Sequence, residues 1–131
     1  MVFKCLKLAA IATCAVLMAY PAWAHHSHGN YDISKWTTVE GTVKQLHLVN
    51  PHSFLYLEVK DDKGQVVTWS MEAVGVTALK NKGITRETYR QGDVMKVRCH
   101  LLKDGGNGCL LGFVTPMHGD QARGHGVEVE W

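Results

Sequence analysis

Eight histidines are the densest source of chemistry in this 131-residue chain, and all lie beyond residue 24. Imidazoles titrate near neutral pH and ligate transition metals, so this part of the chain is expected to respond to protons or to metal ions. Three cluster as His25-His26-Ser27-His28; the others are His47, His52, His100, His118 and His125. Position 25 stands out because what precedes it reads as removable. Lys4 and Lys7 charge the start, Leu8 to Tyr20 is apolar and uncharged, and Pro21-Ala22-Trp23-Ala24 offers an A-x-A cleavage site. Together these read as a secretory signal peptide over residues 1–24, cleaved after Ala24. The apolar run is shorter than the about 20 residues of a membrane-crossing helix, so no stable membrane anchor is expected after cleavage. Two alternatives stay open: an uncleaved anchor, and lipidation at Cys14, where Ile11-Ala12-Thr13-Cys14 loosely resembles a lipobox. The compartment expected is the periplasm, with the extracellular space as the other destination.

A mature chain beginning at His25 would hold one metal ion through its free α-amine and its ring nitrogen. A third nitrogen would complete a T-shaped Cu(II) site of the histidine-brace kind. Amine and imidazole nitrogens suit copper, which also tops the divalent affinity order, so copper is the favoured cofactor. His52 is the candidate third ligand, with His26 and His28 as near-terminal alternatives. The competing reading is a frayed, histidine-rich terminus that binds metal only adventitiously. No histidine stands third in the mature chain, so the usual square-planar terminal Cu/Ni motif is absent.

Asn50-Pro51-His52 is the second constellation. Proline in a strand path belongs at an edge or bulge, so the chain is expected to turn there. His52 would then share one strand face with Phe54 and Tyr56, opposite Leu55, Leu57 and Val59. The plainer reading is a histidine hydrogen-bonded to a neighbouring loop. In Trp69-Ser70-Met71-Glu72, Trp69 reads as core. Glu72 is read either as a carboxylate at a helix start, where the dipole favours it, or as a metal ligand or partner for His52. Asp32 is a candidate acceptor behind a ligating histidine. His47 and His100 read as surface or satisfied residues, and His118 and His125 as sources of adventitious metal affinity. No catalytic residue is assigned: there is no Ser-His-Asp arrangement, phosphate loop, dinucleotide fingerprint or poised carboxylate pair.

The elements that must position these residues are mostly strands. Removing residues 1–24 leaves about 107 residues, enough for one core. The formal charge of +2 includes Lys4 and Lys7, so the mature chain is neutral, which argues against a nucleic-acid partner. Residues 25–35 read as irregular, 36–116 as one β domain and 117–131 as a tail. The first strand, Trp36 to Val49, switches its inward set from Val39, Gly41 and Val43 to Leu46 and Leu48, the mark of a bulge. His52 to Lys60 follows, then a turn at Asp61-Asp62-Lys63-Gly64 and a third strand carrying Val67, Trp69 and Met71. Ala73 to Lys82 reads as a helix and Thr85 to Arg90 as one further turn. Val94 to Leu102 and Cys109 to about Thr115 complete the set. This order predicts a mainly β, small five-stranded OB-like barrel with one short helix between strands three and four. A small β-sandwich is the runner-up.

Cys5 and Cys14 would leave with the signal, while Cys99 and Cys109 flank the turn Lys103–Gly108. Alternation puts Met95, Val97, Cys99 and Leu101 on one face, and Cys109, Leu111 and Phe113 on the facing strand. Both cysteines therefore point the same way, and an oxidising compartment would join them. The alternative is two buried free thiols.

Six short motifs occur in order: Ala24-His25-His26-Ser27, Tyr31-Asp32, Gly41-Thr42-Val43, Asn50-Pro51-His52, Trp69-Ser70-Met71-Glu72 and Gly92-Asp93. In these the chain resembles a family of small exported bacterial proteins known only as a domain of unknown function. The likeness runs from His25 to about Val114. His28-Gly29, the Cys99/Cys109 pair and the stretch past Pro116 depart from its pattern. The resemblance implies an exported β-rich fold and supplies no activity.

Two functions are therefore expected in competition. One is an exported module that binds copper through His25 with His52 or its near neighbours. The other is a periplasmic interaction module that takes a protein or small ligand on the His52/Phe54/Tyr56 face, with no metal. An enzyme with an open copper site ranks last.

Overall fold

Apolar residues at alternate positions, shifted once, build the first strand. In the computed structural model, which describes residues 27–131, β1 (Thr37–His47) buries Val39, Val43 and Leu46. Its pairing with the next strand shifts between Val43 and Gln45, so Lys44 is the extra residue and the expected bulge is present. The expected leader, with His25 and His26, lies outside the described residues.

Strand β2 (His52–Lys60) buries Leu55 and Leu57 completely and turns His52, Phe54 and Tyr56 to the other face, where they are half-buried. It runs antiparallel to β3 (Val66–Val74), with Leu55 opposite Met71, Phe54 opposite Glu72 and His52 opposite Val74. A short helix, α1 (Val76–Asn81), buries Leu79. Strands β4 (Val94–Leu101) and β5 (Gly108–Pro116) form the second hairpin. The order β3-β2-β1-β4-β5 closes on itself where Ser70–Glu72 run parallel to Gly108–Leu110. The result is the expected five-stranded OB-like barrel with one helix between β3 and β4, not a sandwich. A sixth strand, β6 (Val129–Glu130), adds to β5 outside the ring.

The core lies inside this ring. Leu55, Leu57, Met71, Leu79, Ile84 and Met95 are each at most 1% exposed. Burying each such side chain contributes about 1.5–3 kcal/mol. Trp69 packs on this core from a partly buried position. Cys99 and Cys109 are both buried and joined in a disulfide between β4 and β5, with Cα atoms 5.8 Å apart.

The structure corrects two local expectations, the helix start and the facing of Phe113. Ala73 and Val74 continue β3 instead of opening the helix, because Ser53 and His52 extend the β2 pairing to meet them. Glu72 is consequently a mid-strand residue, not a carboxylate at a helix start. The further turn expected from Thr85 to Arg90 is present, closed by one helix-type bond, Tyr89 N–H to the Thr85 carbonyl at 3.1 Å. Phe113 faces outward, and Val114 takes the buried place expected of it. The cause is a register shift: Cys99 pairs with Leu111 and Arg98 with Phe113, which leaves Gly112 as the extra residue. A Cβ on Gly112 would lie 2.4–2.5 Å from the Trp36 ring, so only glycine lets that indole lie on the strand.

Residues 117–131 pack back on the barrel. The Arg123 guanidinium pairs with the Asp93 carboxylate and donates to the Thr88 carbonyl at 3.0 Å. Burial pushes the Asp93 carboxyl up, but Arg123 and the Arg90 amide more than reverse this and hold it below the usual carboxylate range. Trp131 is 4% exposed and stands edge-on to Tyr89, with ring centroids 5.0 Å apart.

Candidate functional site

The turn between β1 and β2 places the first residue of the site. Ser53 has no exposure, and its hydroxyl both accepts from the Val49 amide (3.2 Å) and donates to the Val49 carbonyl (3.1 Å). Asn50-Pro51 is a cis peptide wedged against Gly75, where an added Cβ would meet Asn50 Oδ1 at 2.4 Å and the Pro51 carbonyl at 2.8 Å. Pinned on both sides, the chain enters β2 with His52 on the outer face. Val74 lies directly opposite, and Glu72 is its diagonal neighbour on that face. Such diagonals are within reach of long side chains.

His52 Nδ1 pairs with Glu72 Oε1, while Glu72 Oε2 accepts from the Tyr31 hydroxyl at 2.6 Å. Tyr31 and Glu72 are buried at 7% and 8% exposure, whereas the His52 side chain is 41% exposed. A carboxylate offers no proton, so its contact with Nδ1 favours the ring form that is protonated there. In the neutral ring Nε2 then keeps its lone pair, free to accept a proton or to ligate a metal. A carboxylate behind a histidine fixes both its tautomer and its orientation at metal sites. Burial, followed by the hydrogen bond to Glu72 and the charge of that group, pushes the Tyr31 phenol well above its ordinary value. The hydroxyl thus remains a donor at neutral pH.

Phe54 and Tyr56 continue the same face, with nearly parallel rings 6.2 Å apart. His52, Phe54 and Tyr56 therefore share one face, and Glu72, for which the sequence left two readings open, stands beside them. Other candidates stand elsewhere. Asp32 accepts from the Ser34 hydroxyl (2.5 Å) and amide (3.2 Å), which hold its carboxyl low, and it pairs with Lys35 at 3.8 Å. It does not support His52. Asn50 is exposed on the turn, and His28 is exposed in the short 3-10 turn Ser27–Asn30, its carbonyl accepting from the Tyr31 amide. His118 and His125 accept backbone amides through Nδ1, from Asp120 and Gly119, so their neutral rings carry the proton on Nε2 and offer no lone pair there. Among the described residues no three His, Cys, Asp or Glu side chains are grouped so as to hold a metal ion. Of the candidate metal ligands, the described site contributes the imidazole of His52.

Two features escaped sequence reasoning. Tyr31 lies 41 residues from Glu72, and no local periodicity links them. The Tyr31-Asp32 pair was the only trace of it in the sequence. On the opposite flank Trp36 packs on His100 (3.9 Å between ring centroids), with the Arg98 guanidinium 4.3 Å from the Phe113 ring. That cluster follows from the Gly112 bulge, which alternation does not show.

A sequence model of a family of unknown function matches residues 13–111. No curated protein matches the sequence. Among solved structures, the mitochondrial single-stranded DNA-binding protein Rim1 of S. cerevisiae is similar at a TM-score of 0.49. Identity is 8%, over 66% of this chain and 96% of that one, too slight a likeness to bear on what this chain binds.

Proposed function

The chain belongs to DUF6152, a family of unknown function, so we propose a role from its own site: an exported β-barrel module that binds copper at His52. The observation that carries this reading is the Glu72 carboxylate on His52 Nδ1. It holds the ring in the tautomer that presents Nε2, the nitrogen a metal would take. His25, as the first residue after signal cleavage, supplies its amine and ring nitrogen, with His26 and His28 as the other local donors. The test is copper analysis and Cu(II) titration of the exported protein, with its N-terminus read by mass spectrometry. One Cu(II) per chain is expected, weakened at least about tenfold by His52→Ala and by one extra residue before His25, since losing even an outer-shell partner of a ligand costs about 10–100-fold. Binding that survives both changes would reject the site.

A second reading is favoured by the parallel Phe54 and Tyr56 rings beside His52. They offer an aromatic face for a protein or small ligand without metal. In that case Phe54→Ala and Tyr56→Ala would abolish capture of the ligand, and removing His25 would not.

A further inference from the structure

We infer that the cleft between β4 and the returning tail binds an organic carboxylate with an apolar body, and that Glu128 is the side chain this ligand displaces from Arg98. The cleft lies on the β1–β4–β5 flank, apart from His52, and owes nothing to the copper reading.

Strand register builds its floor. Met95, Val97 and Cys99 point into the core, so Lys96 and Arg98 stand side by side on the outer face of β4. Thr38 of β1 lies opposite Arg98, and Thr115 of β5 lies opposite Lys96. The tail supplies the wall. The Gly126 amide donates to the Pro116 carbonyl at 2.7 Å and Val129 pairs with Val114, which fixes Glu128 between the two ties. With Met117 these residues bound a cleft of about 440 Å³, within the about 300–1,000 Å³ of small-molecule sites.

Most of its donors are unused. Among the described residues, the Lys96 ammonium and the Thr38 and Thr115 hydroxyls have no hydrogen bond or ion pair. Arg98 is positioned by stacking, its guanidinium 4.3 Å from the Phe113 ring and 5.6 Å from that of Trp36. A guanidinium placed in this way suits a carboxylate gripped through two nitrogens. Glu128 engages only Nη2, at 3.1 Å. The two side chains of that pair are 42% and 44% exposed, so the contact contributes little and yields readily.

Charge selects the class of ligand. Two cations, Lys96 and Arg98, against one anion, Glu128, leave the cleft at +1. Glu40 stands opposite Lys96 on β1 and makes no ion pair with it. A single negative charge is matched there, and a phosphate dianion is not. Apolar surface lies at both ends: Met117, 40% exposed, past Lys96, and Trp36, 51% exposed, past Arg98. The ligand is therefore a monocarboxylate with an aliphatic or aromatic body, supplied by a small acid or by a peptide carboxyl terminus.

The test is NMR titration of the exported chain, following the Lys96, Gly126 and Glu128 amides and the Arg98 Nε–H, which is buried without an acceptor. The probes are phenylbutyrate and an acetylated Gly-Gly-Phe tripeptide, each against its carboxamide at constant ionic strength. Saturable shifts confined to the cleft are expected with the acids and not with the amides. Arg98→Gln should weaken binding about tenfold or more, as loss of a charged hydrogen-bond partner does. Glu128→Gln should tighten it about two- to fivefold by removing the competitor. This second variant changes only an exposed side chain, so its sign is decisive even where Arg98→Gln disturbs the fold. Tighter binding of phenylbutyrate identifies a small acid as the ligand, and tighter binding of the tripeptide a chain terminus. No saturable shift with either acid, equal shifts from the amides or from sodium sulfate, or an affinity unmoved or lowered by Glu128→Gln would each overturn the site.

Discussion

A phenol that donates to a buried carboxylate ties its own ionisation to the stability of the fold. Tyr31 in the folded chain ionises well above the ordinary tyrosine value of about 10, first through burial and then through Glu72. A group whose folded value is raised stabilises the fold fully below the unfolded value, and this contribution is lost as pH rises through the folded value. Urea unfolding should therefore show stability falling from about pH 10 upward. In Tyr31→Phe the fall should be shallower but not absent, because burial also raises Tyr89. An identical alkaline fall in wild type and variant would show that Tyr31 does not carry it. At this scale the sequence was half legible. His52 and Glu72 could be paired on paper once β3 was continued one pairing further. Tyr31 could not, since nothing within its own segment signals a partner 41 residues away.

Elements matter here chiefly through where they stop. The β2–β3 pairing runs nine residues, from Lys60–Val66 up to His52–Val74, and this length is what carries Glu72 onto the barrel face. Alternation located both strands and the β1 bulge, because their apolar residues record the inward face directly. Ala73 and Val74 suit either helix or strand, and tertiary pairing with Ser53 and His52 decides for strand, which moves the helix start past the one the sequence predicts. The β5 bulge was missed for a related reason: Gly112 has no side chain to betray a change of parity. Close approach makes a second glycine exacting. Gly75→Ala would force its methyl into Asn50 and the Pro51 carbonyl, and overpacking of this kind costs about 1–3 kcal/mol. Urea unfolding should show that loss, and the His52 ring signals should move with the displaced turn. An unchanged midpoint would mean the turn yields freely.

For the whole molecule, one small core carries the fold, and its members come from every strand of the ring. Leu57 has no exposure, and Leu57→Ala should cost about 2–5 kcal/mol, measured as a lowered urea midpoint with unchanged slope. A loss below 1 kcal/mol would mean that neighbours collapse into the space. The disulfide was readable from the facing parity of Cys99 and Cys109 across a glycine-rich turn. The closure of the ring was readable only as a type of order, since the residues that make it, Ser70–Glu72 with Gly108–Leu110, bear no mark of each other.

That closure is a short seam. Three residue pairs zip β3 to β5, where nine zip β2 to β3. Breathing of the barrel should therefore begin there, with β3 drifting from the hairpin beyond it. Glu72 belongs to one lip of the seam, and Tyr31 is held on the β4–β5 hairpin beyond the other, by its bridge to Leu102. The Tyr31–Glu72 bond is thus a clasp fastened over the weakest join.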